Sequence, residues 1–511
     1  MNILDRMISA VAPQVAVKRQ AARVQLQGLA KARMFYDAAS QSHRTGGWRP
    51  ISTDANNELR TSTERLRFVS REMVRNNPYA ARAVQTITSN VVGTGIIPSV
   101  QARAARTKST LEQLLIAHFD TPACDVTQQM NLYGLQALAM RTIIESGEVL
   151  IRRRRARASD NLPLPFQLQV LEPDYINTLI DGEWSGGASL PEGHTAVMGV
   201  EFDPRGKIAA YHLLQNHPGS NVPQAQYYDT ERVPAEDIIH IYRKDRPGQV
   251  RGVTWFAPVV MRLQDFKDFA DAQLMRQKLA ACFVAFVTTE NPDFQTVDDQ
   301  TSINEQPLEY FEPGVIERLK PGEQVEFGNP PSTADFGQFS SVTLHEIAAG
   351  LGISYEALTG DLTGVNFSSG RMGWLEFQRQ IDDWRLNMLQ PLALDRIANW
   401  FLQSANIAAT FGGDVKIKWT PPKREMISPR DEVPFAIEQV RAGLMSRSEY
   451  LRRAGFDPEM VDQEIADDNA RADRLKIILD SDARHTKLVG GTAAGSTRTP
   501  ASEDVAPADE T

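Results

Sequence analysis

At 511 residues the chain is too long for one simple core, and two to four packed units are expected. A hydrophobic fraction of 42% with 23% charged residues describes an ordinary globular protein, and no apolar run reaches the roughly 18–20 residues of a membrane span. A net charge of −9 argues against a static clamp on nucleic acid, which is usually basic. The two cysteines, Cys124 and Cys282, lie too far apart for a metal cluster or a disulfide framework and fit a reducing compartment. No long apolar run opens the chain, so no secretory signal is expected.

Met1 to about Thr63 is weakly organised. Lys18 to Arg33 is basic and rich in Ala and Gln, and Arg44 to Pro50 reads as a loop. Two readings of this arm stand: a flexible tail, or a strap anchored on a neighbouring subunit by Tyr36 and Trp48, residue types that recur as interface anchors. From Glu64, the apolar positions Leu66, Val69, Met73 and Val74 mark a helix that ends before Pro78. Ala83, Ile87 and Val91 mark a second helix over Tyr79–Val92. Gly93 and Gly95 stop it. They make no nucleotide loop, because no β-run precedes them, the third glycine is missing and Pro98 closes the segment. Leu111 to Glu145 is helical again. Glu148 to Arg155 reads as a strand running into an exposed basic loop. Arg152, Arg153, Arg154 and Arg155, with Arg157, form the densest positive cluster: a solvated hairpin tip, or a contact for an acidic surface or DNA.

Phe166 to Tyr242 is β-rich. FQLQVL alternates, GVEFDPRGKIAAYHLL is a hairpin turning at 203–206, and DIIHIYR is a buried strand. Glu172, Asp174, His194 and His212 match no standard metal spacing and read as satisfied polar groups on a sheet. Pro258 to Leu279 is a helix whose stripe of Leu263, Phe266, Ala270 and Leu274 suits sideways packing against copies of itself. Ala281 to Phe327 is β-like, interrupted by a polar loop from Asn291 to Gln306 and closed by Pro-Gly turns. Thr333 to Ala349 is helical. His345-Glu346 opens an HExxH, but Ala349 stands where the second imidazole is required, so no zinc peptidase is expected.

Gly350 and Gly352 end that helix. Residues 360–370 are Gly, Thr, Asn and Ser with one Asp, the composition of a mobile loop. A long helix then runs from Arg371 to about Leu402, roughly 45–50 Å, capped by Ser368 or Ser369. Trp374, Phe377, Ile381, Trp384 and Met388 form its apolar face. Pro391 predicts a kink near Asn387. A strand over Val415–Trp419, a helix over Pro434–Arg441, a capping box at Ser446–Glu449 and a helix starting at Asp457-Pro458 follow. From Ser481 the composition is that of a disordered tail.

SYEALTGDLTGVNFSSGRMG, from Ser354 to Gly373, resembles the tunnel loop and wing helix of lambda-type tailed-phage portal proteins. SREMVRNNPYAARAVQTITSNVVGTGIIP, from Ser70 to Pro98, resembles the N-terminal pattern of the same family. The resemblance covers roughly Tyr36 to Leu479, and neither stretch is a catalytic fingerprint. It implies a mixed α+β portal fold closed into a cyclic ring oligomer. In that fold residues 1–63 are an N-terminal arm, 64–257 the first part of a β-rich wing, and 258–280 and 333–350 two stem helices. Residues 281–332 between them are a small β clip, 351–370 the tunnel loop, 371–425 the rest of the wing with the long kinked helix, 426–480 a helical crown and 481–511 the tail.

The resemblance further implies twelve copies at a unique capsid vertex, around a channel for DNA packaging and ejection. Partners would be the terminase large subunit, a head-tail adaptor, the major capsid protein and scaffold, and double-stranded DNA without sequence preference. The chain would sit in the virion, and in the host cytoplasm during assembly, with no membrane, cofactor, metal or catalytic residue. Without a GxxxxGK[ST] loop here, ATP hydrolysis falls to the docked terminase. Asp361, Thr363, Asn366, Ser368, Ser369 and Arg371 would form collars of weak, repeated contacts to DNA. The alternatives are a loop buried between subunits, and an Arg371 that caps or salt-bridges its helix. Asn291, Asp293 and Glu305 in the clip would meet partners. An acidic wall suits a conduit, because a basic one would hold phosphate by counterion release. The competing reading is another non-enzymatic capsid assembly or connector protein.

Overall fold

Residues 52–182, 190–220, 229–281, 285–289, 323–327, 336–408, 415–422, 428–477 and 479, with positions 22 and 47, are described by a computed structural model of the chain. The arm anchors Tyr36 and Trp48, the clip residues Asn291, Asp293 and Glu305, Cys282 and the tail from Ser481 lie outside them. The chain divides into two units, Met1–Glu58 and Leu59–Thr511.

Helix α1 (Ala55–Asn76) begins well before the expected Glu64. Asp54 Oδ1 accepts from the Asn57 amide at 3.1 Å, so a cap residue that the apolar pattern ignores sets the start. Asn77 caps α2 (Pro78–Val91), with proline at the first helical position. The expected closure at Pro98 is wrong: β1 (Ile97–Gln101) pairs antiparallel with β11 (Lys416–Thr420), Pro98 opposite Trp419. A two-stranded sheet has only edge strands, where proline is tolerated. The single helical run over 111–145 is also corrected. It is two helices, α3 (Ala105–Phe119) and α4 (Leu132–Ser146), separated by a short 3₁₀ turn at Pro122–Cys124. Gly147 ends α4 at φ +91°, and a Cβ there would lie 2.4 Å from the Val253 carbonyl carbon.

Two antiparallel sheets follow. In the first, β2 (Glu148–Arg155) lies between β3 (Phe166–Leu171) and β8 (Ile238–Tyr242). The second is a meander of β4 (Thr195–Val197), β5 (Val200–Phe202), β6 (Ile208–Leu214) and β7 (Thr230–Pro234). The hairpin expected at 203–206 is present, its turn held by Asp203 accepting from the Arg205 and Lys207 amides. Leu150, Val200, Tyr211 and Ile238 pack in a small core joining the sheets.

Helix α5 (Val260–Ala281) starts in the main core at Leu263 and Phe266 and leaves it, so that Leu274 is 52% exposed. Strands β9 (Ala285–Thr289) and β10 (Glu323–Phe327) pair antiparallel with Val287 opposite Val325. Helix α6 (Phe336–Leu351) returns and packs on α5. A short helix that periodicity missed, α7 (Tyr355–Thr359), precedes α8 (Phe367–Asp383). Between α8 and α9 (Asp395–Ala408) the chain winds as a π-helix over Trp384–Leu394. This stretch is what Pro391 imposes. The ring has no N–H to give and crowds the carbonyl one turn back, and a wider turn relieves both. The apolar face of α8 and the π-helix is core, with Trp384 only 3% exposed and 4.6 Å from Trp255 between ring centroids. Arg385, also buried, donates to the carbonyls of Asn90 and Val91 and so caps α2 from outside.

The C-terminal set is α10 (Pro429–Arg441), α11 (Arg447–Arg453) and α12 (Pro458–Leu475). Helix α10 starts earlier than the expected Pro434, with Pro429 at its first turn. Ser446 caps α11 by accepting from the Glu449 amide, but the Glu449 carboxylate expected to complete a capping box accepts from Arg452 and Arg453 instead; an ion pair between Lys108 and Glu459 ties α12 to α3. Among the described residues no helix is long and apolar enough to cross a membrane.

Candidate functional site

The segment 352–371 is built from caps. Ser354 Oγ accepts from the Ala357 amide at 3.2 Å and starts α7. Thr86 of α2 donates to the Ala357 carbonyl at 3.2 Å, and Leu358 is 1% exposed, so this short helix is pinned to the core. Gly360, at φ +77°, ends it. The next six residues are ordered by their own side chains. Asp361 Oδ1 accepts from the Thr363 amide at 3.0 Å and from its hydroxyl at 2.6 Å. These bonds, the hydroxyl first, hold the Asp361 carboxyl below its ordinary range. Asn366 Oδ1 accepts from the Ser369 amide at 2.8 Å, and Ser369 Oγ accepts from the Asn366 amide, a reciprocal capping box.

Two expectations change. The cap of α8 is Asn366, with Ser369 as its reciprocal partner; Ser368 lies in the first turn and Arg371 just beyond it, both exposed. The loop of eleven residues shrinks to 361–366, a run of hydrogen-bonded turns. Asp361, Thr363, Asn366, Ser368, Ser369 and Arg371 do fall together on one exposed stretch. Apolar side chains unforeseen in the sequence share it, Leu362 at 66% exposure and Met372 at 71%. The stretch offers a carboxylate, hydroxyls and an amide, with no general base placed against a nucleophile.

Glu148–Arg155 is a strand as expected, β2. Arg152, Arg153, Arg154 and Arg155 all lie on β2. Arg152 Nη1 donates to Glu231 at 2.9 Å. Arg153 Nε donates to Asp237 at 2.7 Å, its Nη1 to Gln403 at 3.0 Å, and its guanidinium lies 5.2 Å from the Trp400 ring centre. Arg155 reaches Asp237 at 3.7 Å. Only Arg154 and Arg155 of the four are exposed.

The histidines meet the expectation of satisfied polar groups. His194 and His212 bond Glu201 at 2.6 and 3.0 Å, joined by Arg232. Glu172, Asp174 and His217 lie close enough to hold a cation, but Arg71 already reaches Asp174 at 2.6 Å and Glu172 at 3.4 Å. Cys124 is buried, its thiol pushed up to about 12 by that burial.

Sequence reading missed a buried ionic centre. Glu148, fully buried at the head of β2, accepts from Arg251 Nη2 at 2.6 Å, the Gly252 amide at 2.7 Å, His240 Nε2 at 2.9 Å and Arg67 Nη2 at 3.1 Å. Burial alone would raise its carboxyl, but Arg251 and His240 outweigh that and hold it well below the usual range. Burial dominates for His240, which is pushed down despite its acidic partner. The available signal was an acid directly before the apolar run Val149, Leu150 and Ile151.

Residues 41–385 match the family model of lambda-family phage portal proteins. The chain belongs to that family. A probable portal protein of Halomonas phage phiHAP-1 is 26% identical over 469 residues, covering 86% of this chain and 87% of the relative. Portal protein B of Escherichia phage lambda is 21% identical over 464 residues, covering 80% and 84%. A chain from the neck of a native gene transfer agent particle is similar over 80% of this chain and 96% of its own, with 16% identity and a TM-score of 0.45. Both stretches that carried the family resemblance lie within the matched region. This portal protein is thus a structural component of a bacteriophage particle, the connector of its virion.

Proposed function

We propose that the subunit closes into a ring of twelve at one capsid vertex and lines the channel through which double-stranded DNA is packaged and ejected. The observation that carries the ring is the exposed apolar surface of both stem helices. Met261, Leu274 and Met275 on α5 are 69%, 52% and 58% exposed, and Phe339 and Val342 on α6 are 47% and 55%. A single subunit leaves these in water. A heterologous contact repeated around a closed ring covers them. In this reading 64–257 and 371–425 form the wing, 258–280 and 333–350 the stem, 281–332 the clip, and 426–480 the crown. The clip meets the terminase large subunit and then the head-tail adaptor, and the outer surfaces meet capsid protein and scaffold. The ring performs no reaction of its own.

The loop 361–366 would present its residues once per subunit around the channel, and weak repeated polar contacts are what sliding DNA tolerates. Light scattering with negative-stain class averages tests the ring. The expected particle is about 680 kDa, twelve times 56.9 kDa, with a central hole. A compact dimer or tetramer without a hole would overturn the proposal. A monomer sends the same measurement to protein made together with its capsid and scaffold. The loop is tested separately by Asp361→Lys, which adds positive charge facing phosphate, beside Asp361→Asn, which keeps a side-chain acceptor for Thr363. Assembly should survive both, while packaging or DNA retention should change with Lys in a salt-dependent way.

A further inference from the structure

His345 opened a metal-binding motif that Ala349 breaks, and the structure gives this imidazole different surroundings. It lies on the exposed side of α6, its Nδ1 2.7 Å from the carbonyl oxygen of Ser341 one turn back. Its ring stacks on Tyr355 of α7, the centroids 4.0 Å apart and the planes within 6°. The Tyr355 hydroxyl donates to Asp361 Oδ2 over a long 3.5 Å, and the other carboxylate oxygen holds Thr363. A continuous line of contacts therefore runs from the second stem helix, through one aromatic ring of α7, to the middle of the loop. Asp361 also donates its amide to Thr359 Oγ1 at 3.1 Å, and that hydroxyl bonds the Tyr355 carbonyl at 2.9 Å. Tyr355 thus meets the loop at two points.

We propose that His345 and Tyr355 are positioning residues that set the conformation of the loop 361–366 according to the placement of α6. Flat rings in face-to-face contact resist tilting and closer approach. A tilt of α6 or its displacement towards α7 therefore moves the Tyr355 ring with it, and the hydroxyl at the far edge carries the Asp361 carboxylate along. The other side of α7 is pinned to α2 through Thr86 and Leu358, so the ring is the part free to respond. The role for α6 rests on the reading that this loop faces the channel. The coupling of α6 to the loop does not, and it is measurable without DNA.

Hydrogen–deuterium exchange on the full-length protein as purified tests the coupling. Tyr355→Phe keeps the stack and removes only the hydroxyl. Amides of 361–365 should exchange several-fold faster while those of α6 stay unchanged. His345→Ala removes the stack. The hydrogen bonds and ring contact of His345 go to Ser341 and Tyr355 and not to the loop, yet the same amides should again exchange faster, and His345→Phe, which restores a flat ring, should restore their protection. Unchanged loop exchange in His345→Ala, with Tyr355→Phe showing the increase, would overturn transmission from α6. Unchanged exchange in Tyr355→Phe would remove Tyr355 from the line altogether. Should His345→Ala fold poorly by thermal melting, His345→Leu, which keeps side-chain bulk without a flat ring, takes its place: faster exchange of 361–365 supports transmission and unchanged exchange overturns it. If loop exchange responds as expected while DNA packaging and retention are normal in every variant, the coupling stands and the channel-facing reading of the loop fails.

Discussion

Glu148 binds side chains or backbone from α1, β8 and the segment after β8, so its loss is felt in three places. Glu148→Ala leaves Arg251 and Arg67 buried with their main anion gone, and such a break costs about 3–5 kcal/mol. Urea denaturation should show the unfolding free energy fall by that amount, read from a lower midpoint at unchanged slope; an unchanged midpoint would mean that water reaches the centre. His118 is a second residue with a large expected effect. It is fully buried beside Phe119 and Phe166, neither ring nitrogen has a hydrogen-bond partner, and burial pushes it down to about 4. The unfolded chain takes up this proton near pH 6.5 and the folded chain does not. Its stabilising effect is therefore complete above about pH 6.5 and lost as pH falls towards 4, a change of roughly 3 kcal/mol. His212 and His240 are pushed down as well and add to the same window. His118→Leu should flatten the pH dependence between 6.5 and 4.5 by its own share, read as the difference between variant and parent in urea titrations.

Elements were legible where a pattern had room to repeat. The apolar face Phe377, Ile381, Trp384 and Met388 is buried as periodicity required. Trp384→Ala should cost about 3–5 kcal/mol as a large-to-small core change, and a soluble variant with an unchanged melting midpoint would show that the π-helical stretch is not core. Helix α7 was illegible because one and a half turns give no period to read, and its stability comes from Leu358 and Thr86 packing it on α2. Strand β1 was hidden by Pro98, which an edge strand tolerates. The cap of α8 was misread by two or three residues because Asn366, Ser368 and Ser369 are all good caps. Their geometry, and not their identity, selects Asn366. Asn366→Ala should cost about 1 kcal/mol and fray the first turn of α8, seen as faster amide exchange at Ser369 and Gly370.

For the whole molecule, the distribution of exposed apolar side chains is the property with the widest consequences. They are frequent on α5 and α6 and in the C-terminal set, where Phe435 is 60% and Leu444 79% exposed, and others stand on α1 and α8, with Phe68 at 50% and Met372 at 71%. Val342→Glu places a charge on the exposed face of α6 without entering the core. We expect unchanged circular dichroism and loss of the large particle in light scattering. A ring that forms normally would move the subunit contact to another face.

The helices and strands of regular pattern and the class of protein were legible in the sequence alone, because periodicity, caps and family motifs are local. It did not reveal that Arg152 and Arg153 are paired within the subunit, that Glu148 is an ionic centre, or that Tyr355 spans from α6 to the loop. In each of these the partners lie on elements that approach only after folding: Glu231 and Asp237 for the arginines, Arg251, His240 and Arg67 for Glu148, and His345 and Asp361 for Tyr355. A charged side chain reads as solvated until another chain segment arrives to desolvate and pair it, and that arrival belongs to the tertiary structure.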